Sequence, residues 1–490
     1  MTAHRAFWPA VAGLLGLAIS LIAITTPSIW YDEAATITAA TRSWPQLVAM
    51  LGTVDAVHAL YYFIIHGVFD VVGYSPLALR LPSAIAVGIT AALVVVLGRQ
   101  LGRPRLAIIA GIAFCLLPRV TWMGTEGRSY AMTALVAVLL TVVFVKAQAS
   151  VQKRWWILYS AVALLACILF LYLALIVAAH AVSLLLRVVL RDGVTRRSVI
   201  GWALAAGAAG LIALPFVREV ISQSAQVSWI EPLGVDTVRQ VFRTQWFHYS
   251  FPFAIAAWLL IAVGLVAAIV GRRRFELVTI LPLLVVPTLA LLLMSELVSP
   301  VYQPRYLTMG TPFAALAVAM GIDAFRPRLA AIAAVLVLAV LAVPQVIEQR
   351  QPAAKELSSW SAVADLIAAD RADDPGSETG IIYGTVQRHR SATARVIEYA
   401  YPDAFDGTVD ITLRTSAADS GRLWEYTNPI ADSTDRLRGL DTVYLITGRT
   451  RDQRPETIRV MRLAGWEVTE RWDFPSVHVL RFERETSGPN

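Results

Sequence analysis

The sequence is poor in cysteine and in charged residues for its length of 490 residues. Its two cysteines, Cys115 and Cys167, both lie inside apolar runs, which argues against a disulfide framework or a cysteine metal site. Charged residues make up 16% of the chain, whereas soluble domains usually carry about 25%. Most of the chain must therefore be dissolved in a lipid bilayer.

Acidic residues are scarce in one part of the chain, and the net charge of +7 is accordingly uneven. Residues 1–350 hold 25 Lys/Arg against 13 Asp/Glu, and residues 351–490 hold 17 against 22. The basic excess belongs to the apolar part, where it reports membrane orientation. We therefore expect no nucleic-acid partner.

Eleven apolar stretches have about the 17 to 22 residues that a membrane-spanning helix needs. They lie near residues 7–27, 78–98, 104–121, 129–147, 155–171, 172–190, 198–217, 252–271, 275–294, 306–323 and 328–345. Basic clusters such as 99–105 and 272–274 fill alternate gaps and mark one side as cytoplasmic. We predict a multi-pass plasma-membrane protein with a cytoplasmic N-terminus, a retained first span and an extracytoplasmic C-terminal part.

The first outer loop, residues 28–77, is predicted to be folded. Residues 55–73 are apolar enough to span the membrane, but counting them as a span would put the 99–105 cluster outside. We interpret them as a helix in the outer interface. A shorter interfacial helix is expected over 43–52, with Ser43 as N-cap and Pro45 in its first turn.

Residues 351–490 are predicted to form an extracytoplasmic α/β domain beside a transmembrane catalytic domain, residues 1–350. Strand-like runs at 380–386, 441–448, 466–474 and 478–484 follow a helical pattern at 358–370. This part of the sequence has no phosphate-binding glycine motif and no metal-spaced histidines. A lid or scaffold role is therefore favoured.

Ionisable residues close to the membrane are costly and mark functional candidates. An acidic pair, Asp32–Glu33, follows the first span, and Arg305 lies where a late span begins. A carboxylate can act as a general base, and an arginine fork suits a phosphate. Trp229 could stack on a sugar or anchor in the interface, and Arg305 could equally extend its guanidinium to the interface.

Five elements occur in order along the chain, each lying on the predicted outer side or beginning there. They are Asp32–Glu33, the stretch His58-Ala-Leu60-Tyr61-Tyr62, residues 80–102, the Glu126-x-Arg128-x-Tyr130 motif and the sequence PRYL at 304–307. Together they resemble the GT-C glycosyltransferases, in the branch that contains protein O-mannosyltransferases, the lipid A aminoarabinose transferase and mannosyltransferase-like proteins of actinobacteria. The resemblance covers roughly residues 1–345.

The resemblance implies an α-helical membrane enzyme that takes a sugar from a polyprenyl-phosphate carrier. The sugar passes by inverting displacement to the hydroxyl of a glycan, lipoglycan or protein acceptor. Asp32 would be the general base, and Glu33 would hold the acceptor or, as in some relatives, a divalent cation. Arg128 and Arg305 would bind the departing phosphate. The remaining implied substrate contacts are His58, Tyr61, Glu126, Tyr130, Trp229, Gln303 and Tyr306.

One departure from the family pattern concerns His58, which is followed by Ala-Leu where relatives often have Pro-Pro-Leu. His58 is therefore left open as a metal ligand, an acceptor contact or a core histidine. No His/Asp/Glu spacing demands a metal, so no cofactor is predicted, although a divalent cation stays open. A composition rich in Ala, Arg and Val, with few Lys, resembles that of actinobacterial proteins, and the resemblance to their mannosyltransferase-like proteins implies mannose as the sugar.

Two alternative functions are a polysaccharide polymerase or ligase, which the sequence does not exclude, and a flippase, which fits the sequence less well. A polysaccharide polymerase or ligase of the same fold would share every element named above. A lipid or sugar flippase would need charged or broken helices near mid-membrane, whereas the ionisable groups here gather at one predicted face.

Overall fold

The computed structural model describes residues 2–386 and 392–484, which form two compact units. The first unit comprises Met1–Ile24, Asp55–Tyr61 and Arg80–Gln349. The second comprises Thr25–Val54, Tyr62–Leu79 and Arg350–Asn490. Most of the first outer loop thus groups with the C-terminal part of the chain. The predicted division into a catalytic and an extracytoplasmic domain stays a prediction.

The first unit is helical throughout its described residues. Its helices are Thr2–Leu21, Pro76–Gln100 (from Arg80 onward), Pro104–Leu116, Pro118–Met123, Tyr130–Ala149, Arg154–Leu169, Ala174–Val189, Arg196–Ser222, Val235–Arg239, Phe251–Val270, Arg274–Leu297, Thr311–Ala324 and Arg328–Glu348. Shorter 3-10 turns lie at Ala56–His58, Leu171–Leu173, Ser224–Val227 and Pro304–Gly310, and a π-helical turn at Gln240–Thr244.

Eight helices among the described residues are long and apolar enough to cross a membrane. They are Pro76–Gln100, Tyr130–Ala149, Leu171–Val189, Arg196–Ser222, Phe251–Val270, Arg274–Leu297, Pro304–Ala324 and Arg328–Glu348. The other three predicted spans fall on shorter apolar helices, Ala6–Leu21, Pro104–Leu116 and Arg154–Leu169. A multi-pass membrane protein is therefore supported, and the total of eleven spans stays a prediction.

The centre of the first unit is built on close helix packing. Every residue from Thr311 to Asp323 is buried. A Cβ atom added to Gly321 would overlap the carbonyl of Leu260 on the helix Phe251–Val270. Glycine at this position therefore allows two helix backbones to approach more closely than any side chain would permit.

The second unit holds the two predicted interfacial helices and a sheet. Its helices are Tyr31–Ala40, Trp44–Leu51, Ala59–Val72 (from Tyr62 onward), Trp360–Asp373, Arg395–Ala400 and Arg454–Leu463. Ser43 is the N-cap of Trp44–Leu51 as predicted, and its backbone N–H donates to the Gln46 side chain at 3.2 Å. The prediction that residues 43–52 and 55–73 each contain a helix is confirmed.

The sheet contains the four predicted strands. The strands described in the second unit are β1 (Thr379–Tyr383), β2 (Val409–Asp410), β3 (Leu413–Thr415), β4 (Tyr426–Thr427), β5 (Thr442–Gly448), β6 (Trp466–Asp473) and β7 (Val477–Arg484). Of these, β3 and β4 form a separate two-stranded antiparallel sheet. A five-stranded sheet has the order β2-β1-β5-β7-β6, in which β1 pairs parallel to β2 and β5, and β7 pairs antiparallel to β5 and β6. The strands β2, β3 and β4 have only two or three residues each, too few to form a strand-like run that the sequence would indicate.

Charged residues connect three helix-to-helix loops at the end of the first unit that is predicted to be cytoplasmic. Arg103 pairs with Asp323 and lies 3.7 Å from Glu276. Arg105 lies 3.7 Å from Asp323 and donates to the Phe325 carbonyl at 3.0 Å. The Asp323 side chain is only 2% exposed, so it depends on these guanidinium groups to compensate for its burial.

We expect Asp323→Ala to lower the free energy of unfolding by about 2 kcal/mol, because it removes the buried partner of Arg103. The control is Asp236→Ala, whose pair with Arg239 is exposed and should contribute less than about 1 kcal/mol. Unfolding of the detergent-purified variants measures both values. Equal losses in the two variants would contradict a stabilising role for the buried group.

Candidate active site

His58 and Arg128 meet in the first unit. His58 ends the turn Ala56–His58, and its Nε2 atom lies 3.0 Å from a guanidinium nitrogen of Arg128. Since arginine can only donate, Nε2 accepts the hydrogen bond and the imidazole is neutral, with its proton on Nδ1. Burial, together with the charges of Arg128 and Arg305, lowers the pKa of His58 well below its ordinary value.

Arg305 lies among aromatic rings of the same unit. Its guanidinium carbon is 5.3 Å from the centre of the Trp229 ring and 6.0 Å from that of Tyr306. The Tyr306 ring is 5.7 Å from Phe170, and Phe170 stacks against His58 at 6.3 Å. We call these residues the arginine–aromatic cluster: His58, Arg128, Phe170, Trp229, Arg305 and Tyr306. Five of its six members are sequence-predicted site residues.

The other predicted residues of the first unit lie on neighbouring segments. Glu126 is fully buried, and its backbone carbonyl accepts a hydrogen bond from the Ser83 hydroxyl at 2.6 Å. Tyr130 begins the helix Tyr130–Ala149, and its ring lies 5.2 Å from that of Trp122. Tyr61 is fully buried. The Gln303 carbonyl accepts the Tyr306 N–H at 3.0 Å, which helps to form the turn that carries Arg305.

Arg119 is a buried cation that the sequence reasoning missed. The apolar run 104–121 suggested one continuous span, but the helix ends at Leu116 because the residue before Pro118 is extended. Arg119 then donates to the carbonyls of Thr244 at 2.5 Å and Gln245 at 3.1 Å. An arginine inside a predicted span is itself a functional signal, and that rule could have identified Arg119.

Arg119 is close enough to Arg305 for their charges to interact. Arg119 lies 4.7 Å from the centre of the Trp122 ring, which stacks on His248 at 5.5 Å. Burial and the charge of Arg119 lower the pKa of His248 well below its ordinary value. This part of the first unit thus brings Arg119, Arg128 and Arg305 near the neutral imidazoles of His58 and His248.

Asp32 and Glu33 belong to the second unit. Both lie in the first turn of the helix Tyr31–Ala40, where acidic side chains interact favourably with the helix dipole. Asp32 is half-buried and Glu33 is fully buried. The Lys355 ammonium donates to a Glu33 carboxylate oxygen at 2.8 Å. Sequence reasoning did not select Lys355.

The donor set of this acidic pair does not fit a divalent cation. Glu33 contacts an ammonium group, which a divalent cation would have to displace or oppose. Among the residues that the structure describes, no three His, Cys, Asp or Glu side chains form a metal-binding group. We therefore derive no step through a metal ion.

The fold is that of the GT-C glycosyltransferases. ArnT from Cupriavidus metallidurans in the apo state matches with a TM-score of 0.61 at 12% identity, covering 100% of this chain and 99% of that chain. The same protein bound to undecaprenyl phosphate matches with a TM-score of 0.58 at 12% identity, covering both chains completely. The resemblance stated from the sequence is thus confirmed at the level of fold.

Other GT-C structures match with lower scores. The archaeal oligosaccharyltransferase AglB from Archaeoglobus fulgidus, in complex with an inhibitory peptide and a dolichol-phosphate, has a TM-score of 0.51 at 11% identity, covering 91% of this chain and 70% of that one. The arabinofuranosyltransferase AftD from Mycobacteria has a TM-score of 0.52 at 16% identity, covering 97% and 41%. No protein-family model and no curated protein sequence matches the chain.

The neutral state of His58 predicts a pH effect on stability. Below about pH 6.5 the unfolded chain takes up a proton at His58 that the folded chain does not, so the free energy of unfolding falls as pH falls. His58→Gln removes this titration, while the amide oxygen can still accept from Arg128. When the pH falls from about 7 to about 5, the free energy of unfolding should decrease by about 2 kcal/mol less in the variant than in the wild type.

Unfolding of the detergent-purified proteins at the two pH values measures this difference. Phe170→Leu serves as the control, because it changes the ring that stacks on His58 but removes no titrating group. It should keep the wild-type pH dependence. Identical pH dependence in wild type and His58→Gln would show that His58 becomes protonated in the folded protein.

Proposed function

We propose that the protein is a membrane glycosyltransferase that moves a sugar from a polyprenyl-phosphate carrier to an acceptor hydroxyl on the outer side of the plasma membrane. The sugar we favour is mannose, and the acceptor is a glycan, lipoglycan or protein of the cell envelope. The proposal includes the topology predicted from the sequence, with eleven membrane spans, a cytoplasmic N-terminus and an extracytoplasmic C-terminal domain. The fold and the bound undecaprenyl phosphate of ArnT support the choice of carrier.

The observation that carries the proposal is the arginine–aromatic cluster. Arg128 contacts a neutral imidazole, and Arg305 contacts the aromatic faces of Trp229 and Tyr306. These contacts help to orient the two guanidinium groups. Two oriented guanidinium groups suit a phosphate, and the aromatic rings suit the apolar face of a sugar.

In the proposed reaction, the acceptor oxygen attacks the anomeric carbon as the bond from that carbon to the phosphate oxygen breaks. The configuration inverts, and the polyprenyl phosphate leaves with the bonding electron pair. Negative charge on the phosphate grows in the transition state, so Arg128 and Arg305 stabilise the transition state more than the bound donor. His58 orients Arg128 by accepting its hydrogen bond.

Asp32 is proposed to take the proton of the acceptor hydroxyl. Its half-buried carboxylate lies in the first turn of a helix whose remaining residues are almost all buried. The helix is therefore a rigid support for the base. A carboxylate within hydrogen-bond reach of the hydroxyl would accept its proton as the new bond forms.

Asp32→Asn should reduce transfer by about 10²- to 10⁴-fold, because the amide cannot accept the proton. Binding of the lipid donor should stay near the wild-type value. The assay incubates purified protein with radiolabelled polyprenyl-phosphate sugars and membrane extracts, and donor binding is measured separately. Turnover above about a tenth of wild type would remove Asp32 as the base.

Arg305→Ala should weaken donor binding and lower kcat together, each by at least about tenfold, since a charge-assisted contact to phosphate contributes about 1.5–3 kcal/mol. Arg218→Ala is the matched control, because Arg218 is an exposed arginine on the same predicted side. The control should retain wild-type kinetics. Unchanged kinetics in Arg305→Ala would indicate that this arginine only anchors the chain in the interface.

A further inference from the structure

Lys355 is the one lysine of residues 351–490, and it is buried. Its ammonium contacts Glu33 at 2.8 Å, and the exposed fractions of the two side chains are 4% and 0%. A buried charge without a partner is strongly unfavourable. The position of each group is therefore fixed by the other, although they are 322 residues apart in sequence.

The segments that carry this pair are joined at further points within the second unit. The Ser28 N–H donates to the Pro352 carbonyl at 2.8 Å. The Ser358 hydroxyl donates to the Ile29 carbonyl at 2.6 Å. These bonds hold residues 28–33 and 352–358 side by side. Of these three contacts, the one made by Lys355 is an ion pair, and its partner Glu33 lies in the helix Tyr31–Ala40.

The backbone directly after Lys355 adopts a rare conformation. Glu356 and Leu357 have φ angles of 52° and 57°, in the left-handed region that residues other than glycine seldom adopt. Such strain persists only where the surrounding structure determines it, and it clusters at functional sites. Here it redirects the chain immediately after the ammonium-bearing residue.

We propose that Lys355 is a positioning residue for the general base, acting through Glu33 to fix the first turn of the helix that carries Asp32. This inference rests on the proposed function of Asp32. It also gives residues 351–490, for which the sequence favoured a lid or scaffold role, a positioning role in the reaction. Glu33 is then a positioning residue as well, because its carboxylate is occupied by the ammonium of Lys355.

A small displacement of a catalytic group has a large effect on rate. A misplacement of about 1 Å lowers turnover by about 100-fold. Lys355→Met keeps much of the side-chain volume but leaves the Glu33 carboxylate buried without its ammonium. We expect kcat to fall by about 10- to 100-fold, with KM for the polyprenyl-phosphate donor within about twofold of wild type. The donor contacts proposed above belong to the first unit, which this substitution leaves intact.

The test is a double-mutant cycle on the full-length enzyme, assayed with the same donor panel and membrane extracts. It compares wild type, Lys355→Met, Glu33→Gln and the variant with both changes. Lys355→Arg tests rescue, since it restores a charged donor to Glu33. Arg454→Met is the control, because it removes a cation of the second unit from a more exposed pair with Asp452.

We expect the double variant to be no slower than the slower single variant, because two residues that act as one unit show coupled effects. Lys355→Arg should recover at least about a third of wild-type kcat. Arg454→Met should have the wild-type kcat. If Lys355→Met does not fold, the double variant, which lacks both buried charges, is compared with Glu33→Gln alone.

The outcomes separate the two proposals. An active wild type whose Lys355→Met variant keeps its kcat, or loses kcat and donor affinity together, overturns the positioning role and leaves the proposed function standing. The positioning role is also overturned if the double variant loses kcat by the product of the two single losses, because the two residues would then act independently. A wild type that transfers no sugar from any donor contradicts the proposed function and removes the basis of this inference.

Discussion

The structure depends on how each buried charged group is compensated. A charge removed from water needs either an opposite charge or a polar partner of suitable geometry. The protein uses both solutions in different places. Asp323 and Glu33 are compensated by guanidinium or ammonium groups. Arg128 contacts a neutral imidazole and Arg305 contacts an aromatic face, and these contacts help to orient the two cations.

In the proposed reaction, these two kinds of contact have different uses. A paired carboxylate and ammonium have little remaining field to offer a reacting group, and their value is geometric. Guanidinium groups that face the phosphate would act strongly, in surroundings of low polarity, on the negative charge that develops there. His58 can accept the hydrogen bond of Arg128 only while its imidazole is neutral, and burial and the two nearby arginines favour that state.

The sequence was informative wherever a local pattern carried the signal. The longer strands of the C-terminal part follow from short strand-like runs, and the helix after Ser43 follows from its cap and from Pro45. The run 104–121 misled because hydropathy alone does not register the break that Pro118 imposes. Lys355 carries no local signal, since its partner Glu33 is distant in the chain. Only tertiary contacts reveal such a residue.

The contact of Lys355 with Glu33 also bears on how the first outer loop could hold the proposed general base in place. A short acidic helix such as Tyr31–Ala40 is marginal by itself, because a helix of ten residues lacks the length for independent stability. Its first turn holds Glu33, whose burial would be unfavourable without the ammonium of Lys355. The chain after the last apolar helix therefore completes the environment in which this helix, and with it Asp32, has one defined position.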